Sequence, residues 1–317
     1  MICVLAGGVG AAKLLRGIQG LRSDEEIVAI VNTGDDQNFY GLSISPDLDT
    51  VTYTLAGLSN DETGWGVRNE TFQALEMLRT LGDDAWFALG DRDLGTHLYR
   101  TRRLNEGALL SEVTEEIRQA HGIETTLIPM SDTPVHTVLE VSMAQLSSSD
   151  ADLGPIEMSF QDYFVKHRHE PVVRTIEYRG SAGAHVPEVA LQALHRARRI
   201  IIAPSNPLLS IGPMLSLTEI EHTLRERRSD CIAISPIVGG RALKGPADRI
   251  LQSLFGDSSV STIAQYYRAF ASALVIDHAD VAYRSEIETQ NMTPITTSTV
   301  MSDRNSEQSL GRFLLDL

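Results

Sequence analysis

The chain opens with a short apolar run that ends in a glycine-rich turn. The run extends from Ile2 to Ala6, and the turn reads Gly-Gly-Val-Gly over positions 7–10. Apolar residues then recur at helical spacing from Leu14 to Leu21. A strand, a glycine turn and a helix N-terminus present a row of backbone N–H groups at the positive end of a helix dipole. The opening therefore predicts a βαβ unit with a phosphate-binding turn, although a tight turn without a ligand would give the same pattern.

The turn departs from the two best-known phosphate loops. A P-loop places Ser or Thr after its lysine, whereas Lys13 is followed by Leu14. The dinucleotide fingerprint has a third glycine where this chain has Lys13. Neither a P-loop ATPase nor an ordinary NAD enzyme is favoured. Gly7, Gly8, Gly10 and Lys13 are the candidate phosphate-binding residues.

Composition narrows the class of protein. The chain has 317 residues, 42% of them hydrophobic, which is enough for a large core. Its net charge of −15 argues against a nucleic-acid partner. It shows no apolar stretch of the roughly 18 residues that a membrane span needs, and no signal peptide, so we expect a cytoplasmic protein. Cys3 and Cys231 fall in predicted strands and are expected to be buried thiols.

Further apolar runs predict a doubly wound α/β fold. Strands are expected at 27–33, 200–203, 231–235 and 273–277, with helices between them. We predict a Rossmann-like, three-layer α/β/α architecture with a mostly parallel sheet. Its core comprises residues 1–57 and 187–317, and residues 58–186 form a mainly helical insertion that caps the carboxyl edge. Within that insertion, Asn69 is predicted to cap a helix ending near Gly82.

Four acidic residues lie close together after the second strand. They are Asp35, Asp36, Asp47 and Asp49. Carboxylates beside a phosphate-binding turn would repel one another without a cation, and Mg²⁺ prefers oxygen ligands. Aspartate also caps helices and forms turns, so one or two of the four can be structural. The pattern favours a magnesium site here.

Three other turns carry polar groups. Gly90-Asp91-Arg92-Asp93 precedes a predicted helix and can direct Arg92 at an anion, or form a solvated surface of alternating charges. Ser205 and Asn206 stand between two prolines after a core strand, where Asn206 can meet a base edge or cap its own turn. Lys244, one of only three lysines, lies beside a glycine and is a further candidate.

These motifs together resemble those of a known family. Their order and spacing, over nearly the whole chain to about residue 280, are similar to those of the CofD-type 2-phospho-L-lactate transferases of coenzyme F-420 biosynthesis. The matching segments are 6–14, Asn32-Thr33-Gly34-Asp35-Asp36, Pro46-Asp47-Leu48-Asp49-Thr50, Gly64-Trp65-Gly66, 89–93, 203–207 and Ser235-Pro236-Ile237. Many members have Gly where this chain has Ala11, and the polar tail after residue 285 matches less well.

The resemblance implies a reaction. In that family a guanosine diphosphate ester of a three-carbon acid binds with Mg²⁺. The terminal ribityl hydroxyl of the deazaflavin Fo attacks the phosphorus that bears the acid, and GMP leaves. The acid would be lactate, enolpyruvate or glycerate. Related proteins suggest a homodimer.

The resemblance also implies roles for individual residues. The glycine turn and Lys13 would hold the diphosphate, Asp35 and Asp47 would bind Mg²⁺, and Asp49 would position or deprotonate the Fo hydroxyl. Arg92 would hold Fo or the phosphate from the cap. Ser205 and Asn206 would contact the guanosine, with Lys244 a further substrate-binding residue.

Two alternatives have the same kind of opening. The first is the related gluconeogenesis-factor group, a nucleotide-sugar-binding regulator with a similar fold and glycine turn. Asp49 and the turn at 90–93 favour the transferase over that regulator. The second is a Rossmann oxidoreductase, against which Lys13 in the glycine turn argues.

Overall fold

The computed structural model describes residues 1–21, 24–60, 64, 66–142 and 154–317. The strands are β1 (Ile2–Ala6), β2 (Ile27–Val31), β3 (Gln37–Phe39), β4 (Leu42–Ile44), β5 (Thr126–Pro129), β6 (His136–Ser142), β7 (Ile156–Ser159), β8 (Val172–Arg179), β9 (Arg199–Ile202), β10 (Cys231–Ile234), β11 (Ile237–Val238), β12 (Arg241–Ala242), β13 (Ala273–Ile276) and β14 (Thr293–Thr296). The α-helices are α1 (Gly8–Gln19), α2 (Pro46–Leu55), α3 (Gln73–Thr80), α4 (Asp91–Asn105), α5 (Leu110–Ala120), α6 (Glu188–Arg196), α7 (Gly212–Leu215), α8 (Thr218–Glu226), α9 (Ala247–Phe255), α10 (Val260–Tyr267), α11 (Arg284–Thr289) and α12 (Arg304–Asp316).

Seven strands form one parallel sheet at the centre of the fold. Their order is β14-β13-β10-β9-β1-β2-β5, and every neighbouring pair is parallel. Successive strands are added outward from β1 on one side, through β2 to β5, and then from β9 on the other side. The strand order therefore reverses between β1 and β9. Ligands of open α/β sheets bind in the crevice at such a reversal, outside the carboxyl ends of the strands.

Side chains of each central strand alternate between two cores, so helices cover both faces of the sheet. Cys3 and Leu5 belong to one core, which α6, α8, α9 and α10 complete. Val4 and Ala6 belong to the other, which α1, α2 and α12 complete. Both cysteines are free and buried, as predicted. The architecture confirms the predicted three-layer α/β fold.

The segment predicted as an insertion is less separate and less helical than expected. Residues Thr126–Pro129 form β5, which pairs with β2 at one edge of the main sheet. The same segment also contains an antiparallel sheet in the order β7-β6-β8. Helix α3 begins at Gln73 with Phe72 at its N-cap, so the prediction that Asn69 caps it is wrong. The strand β5 is short, and its four residues gave too little signal to distinguish it from a loop.

The C-terminal tail is part of the core. Residues Thr293–Thr296 form the strand β14 at the other edge of the main sheet. Helix α12 packs against α1 through close backbone contacts at Gly17 and Gly311. None of the described helices has the length and apolar character that crossing a bilayer requires.

Candidate functional site

The glycine turn after β1 lies directly against the turn after β9. A Cβ atom at Gly10 would overlap the carbonyl oxygen of Pro204, so only glycine fits there. The buried hydroxyl of Ser205 donates a hydrogen bond of 2.7 Å to the carbonyl oxygen of Gly7. Gly8 has a φ of +66°, a backbone conformation that glycine adopts without strain. The two predicted turns thus form one surface at the point where the strand order reverses.

Asp47 lies at the positive end of α1. A Cβ atom at Gly7 would stand 2.7 Å from Asp47 Oδ2, so the carboxylate contacts the glycine turn itself. Burial raises the pKa of Asp47 to about 6, against hydrogen bonds from Asn32, the Gly8 backbone and Ser210 that favour the charged form. The carboxylate is therefore held beside the backbone N–H groups of the turn, and it does not cap its own helix.

Asn32 joins two of the four acidic residues. Its Nδ2 donates to Asp47 Oδ2 at 2.9 Å and to Asp35 Oδ1 at 3.2 Å. Its Oδ1 accepts a hydrogen bond of 2.9 Å from the Gly34 backbone, which fixes the orientation of the amide. Burial, followed by the negative charge of Asp47, raises the pKa of Asp35 well above its ordinary value. The predicted pair Asp35 and Asp47 is therefore brought together.

Asp36 completes the acidic cluster and has an open coordination position. Its Oδ2 accepts a hydrogen bond of 2.6 Å from the hydroxyl of Ser45. Its Oδ1 is enclosed and has no hydrogen-bond partner among the described residues. Burial raises the pKa of Asp36 well above its ordinary value. A hard divalent cation fits this set of oxygen donors, because it would satisfy the free oxygen and offset the mutual repulsion.

Asp49 is held by a residue that sequence reasoning missed. Arg100 of α4 donates to both carboxylate oxygens of Asp49, with Nη1 at 3.1 Å from Oδ2 and Nη2 on Oδ1. Both side chains are buried. Burial opposes the charge of Arg100, but the charge and hydrogen bonds of Asp49 and the charge of Asp36 together outweigh it, so the pKa of the guanidinium is raised. Asp49 is therefore an ion-paired carboxylate in this structure.

Asp93, an acidic residue of α4, lies beside this ion pair. The hydroxyl of Tyr53 donates to Asp93 Oδ1 at 2.5 Å, and His97 Nε2 lies 3.2 Å from the same oxygen without hydrogen-bond alignment. Asp49, Asp93 and His97 each offer one ligand atom within 4.8 Å of the others. The guanidinium of Arg100 already neutralises Asp49, so a cation is less favourable here than at Asp35 and Asp47.

Arg92 lies on the same helix but outside the acidic cluster. Its side chain is exposed, and Nη1 donates to the carbonyl oxygen of Arg68 at 2.9 Å. The backbone N–H of Arg92 donates to Glu70 at 2.8 Å. The described contacts do not join Arg92 to Asp49. The structure brings Arg100, and not Arg92, to the acidic cluster.

The remaining predicted substrate-binding residues are Lys244, Lys13 and Asn206. Lys244 Nζ lies against Gly64, and the side chain of Val9 in the glycine turn lies against the same glycine. Lys13 Nζ instead donates to the carbonyl oxygen of Met301 at 2.8 Å, in the segment before α12. Asn206 Oδ1 accepts from the backbone N–H groups of Leu208 and Leu209, so this side chain caps its own turn. Trp65, which contributed to the resemblance, is outside the described residues.

The spacing along two helices is the signal that could have found the missed pair. Asp93, His97 and Arg100 stand four and three residues apart on α4, and Asp49 and Tyr53 stand four apart on α2. Such spacings place each set on one helix face. Nothing in a single sequence shows that the two faces meet.

Comparison with known proteins identifies the family of this chain. The family model described as 2-phospho-L-lactate transferase CofD matches residues 2–312. The chain belongs to the CofD family. A 2-phospho-L-lactate transferase of Methanopyrus kandleri is 37% identical over 318 residues, covering 99% of this chain and 96% of the relative. A phosphoenolpyruvate transferase of Streptomyces griseus is 36% identical over 318 residues, covering 100% of this chain and 98% of the relative.

Solved structures support the fold. A crystal structure of a UPF0052 family protein from Bacillus halodurans superposes with a TM-score of 0.62 at 14% identity, covering 99% of this chain and 98% of that one. At this identity the likeness establishes the α/β architecture. The CofD family membership, which rests on the sequence, makes this chain one of a family of transferases.

Proposed function

We propose that this CofD family member transfers a phospho-three-carbon-acid group from a guanosine diphosphate ester to the deazaflavin Fo and releases GMP. The observation that carries the proposal is the buried acidic cluster beside the glycine turn, at the carboxyl edge between β1 and β9. The names of its relatives, a 2-phospho-L-lactate transferase and a phosphoenolpyruvate transferase, support the proposed identity of the transferred group. The guanosine donor and the Fo acceptor come from the family resemblance.

The chain's own residues would act mainly by positioning. The oxygen of the Fo hydroxyl would form a bond to the phosphorus that bears the acid, the bond from that phosphorus to the GMP oxygen would break, and the hydroxyl proton would pass to the released GMP or to solvent. Phosphoryl chemistry of this kind depends on alignment and charge neutralisation. Backbone N–H groups at Gly7, Gly8 and Gly10 would bind the diphosphate, assisted by Lys244. Asp49 would orient the Fo hydroxyl.

Asp35 and Asp47 would hold Mg²⁺, with Asp36 near enough to take part. When bound, Mg²⁺ would neutralise phosphate charge that the acidic cluster otherwise repels. Arg100 supplies a buried positive charge beside Asp49.

Mass spectrometry of the product tests the proposal. The purified protein is incubated with Fo, Mg²⁺ and, in turn, the lactyl, enolpyruvyl and glyceryl forms of the guanosine diphosphate donor. We expect GMP release and an Fo product whose mass has increased by one phospho-acid group with at least one donor. The relatives are named for both lactate and enolpyruvate chemistry, so all three donors are needed. No mass shift with any donor would refute the proposed reaction.

Gly10→Ala tests the glycine turn. The new Cβ would overlap Pro204 O, so the turn has to move away from β9. We expect GDP to bind about tenfold more weakly, since oriented N–H donors bind phosphate only when aligned. Calorimetric titration with GDP measures this. Gly183→Ala, where the added Cβ meets no atom within 4 Å, is the matched control and should bind GDP like the wild type. Equal affinity in Gly10→Ala would place the diphosphate elsewhere.

Arg92→Ala tests the role expected of that residue in acceptor binding. The side chain is exposed, and its removal costs only the bond to Arg68 O, so the fold is expected to persist. We expect the KM for Fo to rise about tenfold while GDP affinity stays unchanged, because a charge-assisted contact contributes roughly 1.5–3 kcal/mol. Arg102→Ala, on the exposed face of the same helix, serves as the control. An unchanged KM for Fo would remove Arg92 from the site.

A further inference from the structure

Arg100 occupies an unusual place for an arginine. Its side chain is 3% exposed, although it carries a full charge on α4, outside the sheet core. Nη1 and Nη2 take the two oxygens of Asp49 in a fork, and Nη1 also approaches His97 Nδ1 at 3.3 Å and Ser43 O at 3.4 Å. A guanidinium in this geometry fixes the plane of a carboxylate as well as its position.

The partners of Arg100 come from three separate elements. Asp49 belongs to α2, Ser43 to β4, and His97 to α4 itself. A second link between the same two helices runs from Tyr53, four residues after Asp49 on α2, to Asp93, seven residues before Arg100 on α4. Two links, separated by about one turn of α2 and two turns of α4, restrain rotation of one helix relative to the other. The orientation of Asp49 is thereby tied to α4, a helix outside the main sheet.

We infer that Arg100 is a positioning residue for the transfer reaction. Its ion pair with both oxygens of Asp49 orients that carboxylate toward the acceptor hydroxyl. The inference rests on the proposed function, because it assigns Arg100 a share of the same step. It also defines what Asp49 does. The guanidinium takes one lone pair on each Asp49 oxygen and leaves the others, so Asp49 can act by accepting and aligning the hydroxyl hydrogen bond.

The geometry explains why the pair is charged and buried. A buried ion pair is weak support for stability, because desolvation offsets most of the attraction between the charges. Hydrophobic residues of similar volume could fill the same space. A fork at a buried position instead holds one orientation, which is the requirement for aligning a nucleophile with phosphorus.

Arg100→Lys separates orientation from charge. Lysine keeps the positive charge but presents a single point donor in place of the planar fork. We expect kcat for transfer to Fo to fall about tenfold or more, with the KM for the guanosine donor within twofold of the wild-type value. Thermal melting of the variant, followed by circular dichroism, is expected to stay close to that of the wild type.

Recovery of kcat in Arg100→Ala on addition of guanidinium is a second measurement. We do not expect such recovery if Arg100 has a purely structural role. The truncation leaves a space shaped for a guanidinium ion next to Asp49, so guanidinium at non-denaturing concentration should restore part of the lost kcat. Sodium chloride at the same ionic strength should not. Arg103→Ala is the matched control, because Arg103 also lies on α4 and, at the surface, forms the same kind of fork with Glu116 of α5. Its kcat is expected to equal that of the wild type.

The outcomes distinguish the two proposals. If the wild type transfers no group to Fo from any donor, the proposed function fails, and the role of Arg100 in it fails as well. If the wild type is active and Arg100→Lys has normal kcat, the positioning role alone is overturned. A kcat loss equal to that in Arg103→Ala, or one that guanidinium and sodium chloride restore equally, also overturns it. Selective rescue by guanidinium together with an unchanged donor KM supports it.

Discussion

Asp35→Asn is expected to reduce turnover by about 100-fold or more while leaving the fold intact. The Asp35 carboxylate is buried and shares the Asn32 amide with Asp47. Asparagine keeps the shape and the oxygen that accepts from Asn32, but removes the negative charge that a hard cation requires. A loss of about 2.7 kcal/mol in transition-state stabilisation corresponds to 100-fold in rate. Steady-state kinetics over a range of Mg²⁺ concentrations measure the effect.

A binding readout separates metal loss from misfolding. Mg²⁺ is expected to raise the melting temperature of the wild type and to have little effect on Asp35→Asn, because a ligand stabilises only the state that binds it. Without Mg²⁺ the variant should be at least as stable as the wild type, since it lacks one of several mutually repelling buried charges. Asp24→Asn, which removes an exposed charge, is the control. Normal activity of Asp35→Asn at low Mg²⁺ would refute the assignment.

Gly17→Ala is expected to destabilise the protein by about 3 kcal/mol, although alanine favours helices. Gly17 lies where α1 crosses α12, and a Cβ atom there would stand 2.5 Å from the carbonyl carbon of Glu307 and overlap its oxygen. Backbone cannot move aside as a flexible side chain can, so the two helices must separate. Overpacking of this kind typically costs about 1–3 kcal/mol, and here it also strains the buried pair of Arg16 and Glu307.

Chemical denaturation monitored by circular dichroism measures the loss. The matched control is Gly95→Ala in the middle of α4, where the added Cβ meets no atom within 4 Å. That variant should gain roughly 0.5–1 kcal/mol, because alanine loses less backbone entropy than glycine in a helix. If Gly17→Ala is as stable as Gly95→Ala, the backbone of α12 does not lie as close to Gly17 as described.

The central strands could be predicted because burial on both faces leaves a strong local signature. Residues 2–6, 27–31 and 231–234 are almost continuously apolar, and the glycine turn marks where the first of them ends. The edge strands lack that signature. Residues 126–129 and 293–296 are short, and the second includes polar residues and a proline, so their place in the sheet follows from pairing with β2 and β13.

The surroundings of some site residues could be predicted from the sequence, and those of others could not. The acidic residues stand within fifteen positions of one another, and Asp35 follows the core strand β2, so their proximity could be anticipated. Lys13 and Asn206 were chosen for residue type beside a glycine or proline turn. Their observed partners, Met301 O and the backbone of Leu208, depend on side-chain direction, which residue type does not specify.

The parallel α/β core, the glycine turn and the composition of the acidic cluster follow from the amino-acid sequence, because each is encoded by residues close together in the chain. The contact of Arg100, rather than Arg92, with Asp49 spans 51 positions of sequence and depends on how the helices and strands pack. Both arginines lie on α4, two helical turns apart, and the packing of that helix against β4 and α5 selects which of them is buried and reaches Asp49 of α2. The physical reason is that local sequence fixes which face of a helix is polar, whereas the partner of that face is set by how whole elements pack.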